Sequence, residues 1–345
     1  MTGGSGFLGE YVLREAEVRG HEVTSLARSR AAAAKAGWLG AQSVRGDLSR
    51  PETLAAAFEA ARCEVLVSLV SPGSGYTPAI VAASRAAGIP RAVFVSPAAL
   101  PAASGRARLA AEQAIRESGL DWTILRPATI YGALGDRNLS RLLGLLRRMP
   151  VLPVPGCAGL QQPVYVGDVA SAVLTAAERP GAIGCSYDVA GPDPLTFEEL
   201  VRTAARAAGR RARLVPVPLA PLVAAARGYE LVSRHPRIRA EQVLRLAEDR
   251  VFPIDAAIRE LGYAPRSFAD GIAAEARALG LPARGRKVPA GPQAAGDTAW
   301  ASRRGAARSG LRPRLRTEER EARGSPPRPS PHVRWHNRRI ADPPR

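Results

Sequence analysis

The sequence predicts a doubly wound α/β fold, in which a parallel sheet carries helices on both faces. Strand-like and helix-like stretches alternate over the first 190 residues, and a glycine-rich turn precedes the first helix. The strands are short and apolar, and helical patterns of about 10–15 residues separate them, as in βαβ units. With 345 residues, the chain is long enough for one large domain of this class or two modest ones.

The predicted strands and helices follow one another in the order that this fold needs. Each helix has apolar residues at helical spacing, and each strand is a short apolar run. Strands are predicted at His21–Ala27, Gln42–Arg45, Glu64–Val70, Ala92–Ser96, Trp122–Arg126 and Ser186–Ala190. Helices are predicted at Leu8–Arg19, Pro51–Ala61, Thr77–Ala87, Arg106–Ser118, Val169–Ala177, Phe197–Ala208, Ala240–Glu248, Ile254–Leu261 and Phe268–Ala278.

Local signals mark several helix boundaries. The first helix has an apolar stripe that begins at Leu8, and Gly20 ends it. The segments Ser49–Glu52 and Thr196–Glu199 have the spacing of capping boxes, and each precedes a predicted helix.

The last part of the chain is organised differently. Prolines recur from Pro150, and residues 150–281 are expected to supply most of a small C-terminal lobe within a domain that spans residues 1–281. Residues 282–345 lack periodicity and are rich in Arg, Pro, Gly and Ser, so we expect a disordered tail. The net charge is +18, and residues 284–345 carry +11 of it.

The composition excludes several classes of protein. Three cysteines without C-x-x-C spacing and four histidines argue against a disulfide framework and a metal centre, so no metal site is assigned. No run approaches about 18 apolar residues, and a secretory signal pattern is missing, so the default expectation is a cytoplasmic protein without a membrane span. The only lysines are Lys35 and Lys287, which excludes a mechanism that needs a lysine between positions 36 and 286.

A glycine-rich turn predicts dinucleotide binding. Three glycines have G-x-x-G-x-x-G spacing directly before an amphipathic helix. The first permits a tight turn, the second lets the backbone approach a pyrophosphate, and the third lets the helix pack on the sheet. The helix N-terminus offers N–H groups to the phosphates. We assign the turn to the cofactor: Gly3, Ser5, Gly6, Phe7, Leu8 and Gly9.

An apolar strand normally precedes such a turn, but here only Met1 stands before Thr2. In this order the strand would be central to the sheet, and without it several backbone groups would stay unpaired at about 1–3 kcal/mol each. We expect the true translation start to lie upstream, with five or more apolar residues encoded before Met1. A stop codon immediately upstream would disprove this expectation.

The residues after the first two predicted strands favour NADP, with NAD as the other possibility. An acidic residue about 20 positions after the glycines would bind the ribose of NAD, but Arg28 and Arg30 stand there instead. A guanidinium at this place can pair with the 2′-phosphate of NADP, and we assign Arg28 to it. Asp47 and Leu48 are assigned to the cofactor, with Asp47 on the adenine amine. The alternatives are solvated arginines and a plain turn aspartate.

Eight further stretches have the character of family motifs: Thr2–Gly9, Gly46–Leu48, Val93–Ser96, Ser118–Pro127, Tyr131–Gly132, Gln162–Val169, Gly191–Glu199 and Glu241–Asp249. Together they resemble the extended and atypical short-chain dehydrogenase/reductases, the NAD-dependent epimerase/dehydratase proteins. The resemblance covers residues 2–280, and its closer counterparts include relatives of the accessory nucleotide-binding subunit of respiratory complex I. It implies a Rossmann-like fold and an NAD(P) cofactor.

The resemblance also implies a Ser/Tyr/Lys catalytic arrangement, in which a tyrosine exchanges a proton and a lysine lowers its pKa. Ser96 stands at the position of the serine. Ser104 stands at the tyrosine position and Arg108 at the lysine position, so the pair is replaced. Serine is a far weaker acid than a phenol, and arginine stays charged. Arg108 is assigned to the cofactor ribose or phosphate.

Three interpretations of this replacement stay open. The protein reduces a substrate by hydride transfer, with a proton from water or from a residue such as Tyr131. It binds NADP without turnover, as a sensor or a structural subunit. It uses a tyrosine from elsewhere, with Tyr165 and Tyr76 as candidates. Ser96 and Tyr131 are our candidate catalytic residues, and the resemblance adds cofactor residues at Ser68, Pro127, Thr129 and Ile130.

The sequence thus predicts an NADP-preferring, oxidoreductase-like protein that acts on an unidentified small molecule, a carbonyl or sugar-nucleotide-like compound. The alternative is a non-catalytic accessory or redox-sensing protein. Asp168 is expected to be structural, as the cap of the following helix. Arginines of the tail, with Trp300 and Trp335, offer contacts to nucleic acid. A solvated extension or a late frame shift also explains them, and nucleic acid is not expected as a partner.

Overall fold

The structure is a computed structural model, and it describes residues 1–98, 102–132, 139–149, 151–156, 159–210, 212–233 and 239–281. The predicted tail at 282–345 lies outside these residues, together with its arginines, Trp300 and Trp335. Within the described ranges, we find no helix that is long and apolar enough to cross a membrane.

Strands and helices alternate through the first half of the chain. The strands are β1 (Thr24–Ala27), β2 (Gln42–Arg45), β3 (Val65–Ser68), β4 (Arg91–Val95), β5 (Asp121–Pro127), β6 (Ile130–Tyr131), β7 (Val151–Pro155), β8 (Leu160–Gln161), β9 (Val164–Tyr165), β10 (Cys185–Val189), β11 (Leu195–Thr196) and β12 (Arg213–Val217). The helices are α1 (Phe7–Val18), α2 (Arg30–Trp38), α3 (Leu54–Ala61), α4 (Thr77–Ala86), α5 (Ala102–Arg116), α6 (Leu139–Arg148), α7 (Val166–Glu178), α8 (Phe197–Ala207), α9 (Leu219–Val232), α10 (Ala240–Leu244) and α11 (Phe268–Ala278).

A parallel sheet organises the molecule. Four strands pair in the order β10–β5–β4–β3, and β1 pairs with β2. Met1 and Thr2 lie between these two groups. The Thr2 N–H donates to the Val67 carbonyl at 2.9 Å, and the Leu26 N–H donates to the Met1 carbonyl at 2.8 Å. These two residues occupy the place predicted for the central strand, and the strand order reverses there.

Two hydrophobic cores cover the two faces of the sheet. Along β4 the side chains alternate, so that Val93 and Val95 join one core while Ala92 and Phe94 join the other. Helices α1, α7, α8 and α11 contribute to the first core, and α3, α4 and α5 contribute to the second. Helices on both faces of a parallel sheet confirm the predicted α/β class.

Shorter elements follow β5. β7 pairs in parallel with β12, β8 pairs antiparallel with β11, and β6 pairs in parallel with β9. Helices α9 and α10 form a small apolar cluster of their own around Val223, Ala226 and Ala240. Helices α7, α8 and α11 instead pack into the first core, so the later part of the chain completes one face of the main sheet.

Several boundaries match the sequence analysis, and others do not. The capping box at Thr196–Glu199 is present at the start of α8. The one at Ser49–Glu52 is wrong, because the Ser49 hydroxyl donates to the Asp47 carboxylate at 2.8 Å and the chain enters α3 through a 3₁₀ turn at Pro51–Thr53. The sequence analysis does not predict the helices α2, α6 and α9 or the strands β6, β7, β8, β9, β11 and β12.

Candidate functional site

The carboxyl ends of the parallel strands place most of the predicted site residues at one edge of the sheet. In open α/β sheets, ligands bind in the crevice at this edge, where the strand order reverses. The glycine-rich turn stands at that point, directly after Met1 and Thr2. We name the two sides of the crevice by their residues. The β1–β2 end contains Arg28, Ser29, Arg30, Asp47 and Leu48, and the β3–β5 end contains Ser68, Ser96, Arg108, Glu112 and Arg126.

The glycine-rich turn has the geometry that phosphate binding needs. Gly3 has a φ of 77°, in the left-handed region, and its carbonyl accepts from the Gly6 N–H at 3.0 Å. A Cβ on Gly9 would lie 2.4 Å from the Gly3 carbonyl oxygen and 2.5 Å from that of Gly4. Gly6 is the N-cap of α1, and no side chain caps it. The N–H groups of the first helical turn therefore suit a bound anion, so these residues fit a dinucleotide.

A lysine that the sequence analysis did not assign also lies at this turn. Lys35, on α2, donates from Nζ to the Ser5 carbonyl at 2.6 Å and forms an ion pair with Glu10. The Glu10 side chain is only 8% exposed, whereas Ser5 is exposed and Phe7 is half-buried. The lysine therefore ties α2 to the phosphate-binding turn. Its place seven residues after Arg28 is the only sequence signal for this contact.

The β1–β2 end is exposed and built from local contacts. Arg28 is exposed, and Arg30 begins α2, which the Ser29 side chain caps by accepting from the Ala32 N–H. Hydrogen bonds from Ser49 lower the pKa of Asp47, and the charges of Arg28 and Arg50 add to this lowering.

The Asp47 carboxylate is used within its own turn, because it accepts from the N–H of Ser49 at 3.0 Å as well as from its hydroxyl. Leu48 is half-buried and packs against the second core. The contacts of Asp47 are thus those of a plain turn aspartate, and its contact with the adenine amine stays a prediction.

The β3–β5 end is built around a buried carboxylate. Glu112, on α5, is 0% exposed. Its Oε1 accepts from the Ser96 hydroxyl at 2.7 Å and from Arg108 Nη1 at 2.8 Å. Its Oε2 accepts from Arg126 Nη2 at 2.7 Å and from Arg116 Nη2 at 3.2 Å. The carboxylate therefore joins α5 to the ends of β4 and β5.

Glu112 is ionised at neutral pH. Burial opposes its ionisation, but hydrogen bonds from Arg126 and Ser96, together with the charges of Arg126 and Arg108, outweigh burial and lower the pKa of Glu112 to about 2. An ionised carboxylate only accepts hydrogen bonds, so the Ser96 hydroxyl must be the donor in their contact.

The candidate catalytic residue Ser96 lies within this arrangement. Ser96 is 0% exposed and its hydroxyl donates to Glu112, and its catalytic role stays a prediction. Ser68 is fully buried as well, and its oxygen accepts from the Thr2 hydroxyl at 3.1 Å. The Ser68 side chain thus bonds within the sheet, and its contact with the cofactor stays a prediction.

The second candidate catalytic residue, Tyr131, is packed inside the core. Its ring packs against Tyr165 and Phe268, and its hydroxyl is buried without a hydrogen-bond partner. A Cβ on Gly271 of α11 would lie 2.0 Å from this hydroxyl, so the hydroxyl faces a helix of the core. Burial raises the pKa of Tyr131 far above its usual value. The catalytic role of Tyr131 stays a prediction.

The other candidate tyrosines differ in position. Tyr165 is buried, and the Arg266 guanidinium lies 4.1 Å from its ring centroid, so it too belongs to the core. Tyr76 is half-buried and directly precedes α4. Burial raises the pKa of both Tyr187 and Tyr263, whose hydroxyls donate to Glu260 and to the Ala190 carbonyl.

The residues after β5 take different places. The Pro127 carbonyl accepts from the Ala98 N–H at 2.9 Å, and the Thr129 carbonyl accepts from the Val164 N–H at 3.0 Å. Thr129 is exposed and Ile130 is half-buried, so both stay predictions for the cofactor cleft. Ser104 and Arg108 lie on α5 with the predicted spacing of four residues.

Asp168 is a structural residue, although its contacts differ from a plain helix cap. It lies in the first turn of α7, and its carboxylate accepts from the Arg266 N–H and Nε, both at 2.9 Å. It thus fastens the segment before α11 to α7. Among the described residues, no group of three His, Cys, Asp or Glu side chains is arranged to hold a metal.

Known proteins resemble this chain over most of its length. A family model described as NAD(P)H-binding matches residues 3–139. The 4-hydroxy-2-methyl-3-oxo-4-farnesyl-3,4-dihydroquinoline-1-oxide ketoreductase of Stigmatella aurantiaca is 31% identical over 310 residues, which are 77% of this chain and 91% of the relative.

Solved structures share the fold. An NADPH-dependent quinone oxidoreductase from Escherichia coli, in complex with NADPH, has a TM-score of 0.64 and 19% identity over 79% of this chain and 97% of its own. A UDP-N-acetylglucosamine 4-epimerase from Bacillus cereus has a TM-score of 0.62 and 19% identity over 82% and 98%. At this identity, both structures show the fold alone. From the glycine-rich turn and the similarity to the ketoreductase along nearly all of its length, we conclude that this chain belongs to the NAD(P)H-binding short-chain dehydrogenase/reductases of the epimerase/dehydratase type.

Proposed function

We propose that this protein is an NADP(H)-dependent oxidoreductase that reduces a small carbonyl or sugar-nucleotide-like substrate. The observation that carries the proposal is the glycine-rich turn at the point where the strand order reverses, with an uncapped helix N-terminus behind it. The relative with 31% identity is named as a ketoreductase, which supports reduction of a carbonyl.

The chain's own residues divide the work of holding the cofactor. The turn from Gly3 to Gly9 takes the pyrophosphate, and Arg28 takes the 2′-phosphate of NADP, because a guanidinium forms charge-assisted hydrogen bonds to phosphate oxygens. Thr129 and Ile130 line the nicotinamide end. NADPH supplies the hydride when it is bound there.

Titration of the protein with NADPH and with NADH, followed by the fluorescence of the reduced nicotinamide, tests this proposal. We expect the lower Kd for NADPH. Arg28→Ala should raise the Kd for NADPH about tenfold, since hydrogen bonds to charged groups contribute about 1.5–3 kcal/mol, and should leave the Kd for NADH unchanged. Arg202→Ala, on the exposed face of α8, is the matched control. Failure of the unmodified protein to bind either dinucleotide would refute the proposal.

A second function is non-catalytic nucleotide binding, as an accessory or redox-sensing protein. The observations that favour it are Ser104 and Arg108 at the tyrosine and lysine positions, and the burial of the Tyr131 hydroxyl against Gly271. NADPH binding without oxidation of NADPH across a panel of quinones, ketones and sugar nucleotides would establish this function in place of the first.

A further inference from the structure

At the β3–β5 end, the hydrogen-bond donors of Arg108 have protein partners only in part. Its Nη1 donates to Glu112 at 2.8 Å, whereas its Nε is buried without a hydrogen-bond partner. An unpaired buried donor costs about 1–3 kcal/mol. Nε itself is enclosed, but the Arg108 side chain as a whole is 16% exposed, so a ligand can reach another part of its guanidinium.

The charges around Arg108 leave an excess of positive charge. Arg108, Arg116 and Arg126 all surround the carboxylate of Glu112. Asp188, on β10, also interacts by charge with Arg108 and Arg126, and burial raises its pKa. Among these side chains, three guanidinium groups face two carboxylates, which favours an anionic ligand group.

Arg108 also lies at the edge of the sheet where ligands bind. Its backbone packs beside the 3₁₀ turn Pro72–Ser74 that follows β3, because a Cβ on Gly73 would lie 3.4 Å from the Arg108 nitrogen. The same carboxylate that holds Arg108 holds Ser96, directly after β4. Arg108 is therefore on the side of the crevice opposite to Arg28, where the non-adenine half of a dinucleotide and the substrate belong.

We propose that Arg108 is an oxyanion-binding residue, and that its guanidinium, positioned by Glu112, takes an anionic phenolate or enolate oxygen of the substrate in place of the cofactor ribose or phosphate to which the sequence analysis assigns it. The inference rests on the proposed function and deepens it by naming a substrate class. Preorganised donors aimed at developing charge stabilise such an oxygen.

The chemistry of arginine selects this class. When bound, NADPH would supply a hydride to a carbon of a conjugated carbonyl acceptor and would become NADP⁺, and the π electrons of the acceptor would move onto its far oxygen. A proton from water then completes the reduction, because an arginine cannot be deprotonated. Quinones and similar conjugated carbonyls, whose reduced forms are stabilised anions, fit this site. Simple ketones do not fit, since their alkoxides need an acid.

Binding of 4-nitrophenol to the protein saturated with NADP⁺ tests the inference without turnover. Its phenolate absorbs visible light, so the apparent pKa of the bound phenol can be measured directly. We expect Arg108 to lower this pKa by about one to three units relative to free 4-nitrophenol, as an adjacent opposite charge does.

The variants separate the groups involved. Arg108→Met should abolish the shift in the pKa of the bound phenol, Arg108→Lys should keep part of it, and Arg202→Met should keep all of it. Glu112→Gln should reduce the shift, because the guanidinium loses the group that positions it.

Three results would overturn the inference: no binding of 4-nitrophenol to protein that does bind NADP⁺, a bound pKa equal to the free value, or a shift that survives Arg108→Met. Failure to bind NADPH or NADP⁺ at all would instead refute the proposed function. Arg108→Lys keeps the positive charge beside Glu112, so it distinguishes loss of the oxyanion contact from loss of folding.

Discussion

The two ends of the crevice are built by different means. At the β1–β2 end the contacts are local in sequence, since Ser49 donates to Asp47 and Ser29 caps the helix that follows it. At the β3–β5 end, Ser96 and Arg126 reach the same buried Glu112 from two different strands. The first end therefore depends on backbone conformation and exposed charge, while the second depends on tertiary packing around one buried ion.

Glu112→Gln should cause the largest loss in the free energy of unfolding, because it removes the carboxylate around which the β3–β5 end is built. A neutral amide leaves Arg108 and Arg126 without their counter-ion, and loss of one partner of a buried ion pair costs about 3–5 kcal/mol. The free energy of unfolding in urea measures this loss. Glu178→Gln is the control: Glu178 pairs with Arg19 in a partly exposed site, where an ion pair contributes about 0–1 kcal/mol. Equal losses in the two variants would show that the buried position of Glu112 is unimportant.

Gly9→Ala should break the glycine-rich turn that both ends share. The new Cβ would overlap the carbonyl oxygens of Gly3 and Gly4, and overpacking of this kind costs about 1–3 kcal/mol. We expect the Kd for NADPH to rise about tenfold or more, as measured by fluorescence titration. Gly37→Ala, in α2, is the matched control, since nothing lies within 4 Å of its Cβ. A Kd that both substitutions leave unchanged would contradict the assigned role of the turn.

A low pH should destabilise the β3–β5 end, because it protonates the carboxylate of Glu112. Its folded-state pKa of about 2 lies below the ordinary value of 4.5, so its contribution to stability is complete above pH 4.5 and is lost as the pH falls toward 2. The unmodified protein and Glu112→Gln should therefore converge in unfolding free energy as the pH falls through this range. A difference that stays constant down to pH 2 would mean that the ionisation of Glu112 does not stabilise the fold.

The contrast between the two ends also explains what the sequence could predict. The strands and the turn from Gly3 to Gly9 follow from local patterns, namely apolar runs and glycine spacing. Glu112 lies in a helix that the sequence predicts, but its partners come from β4 and β5, and no local pattern records those contacts. Tyr131 has the sequence context of a substrate residue. Its hydroxyl faces Gly271, which lies 140 residues later in the chain, so only the folded structure shows its position.

Lys35 connects the β1–β2 end to the glycine-rich turn, and its removal should have the smallest effect. Lys35→Met deletes the hydrogen bond to the Ser5 carbonyl and the ion pair with Glu10. A hydrogen bond contributes about 0.5–1.5 kcal/mol, so we expect the Kd for the cofactor to rise about twofold to tenfold.

A comparison of the Kd values for NADPH and NADH shows which role Lys35 has. If it holds the turn, the Kd values for NADPH and NADH should rise by the same factor, because both share the pyrophosphate that the turn binds. If Lys35 instead leaves Ser5 to contact the 2′-phosphate, the Kd for NADPH alone should rise, as for Arg28→Ala. The 2.6 Å bond to the Ser5 carbonyl favours equal factors, and Lys35→Arg, which keeps the charge but changes the reach, is the matched control. Unequal factors would move Lys35 from the support of the turn to the selection of NADP.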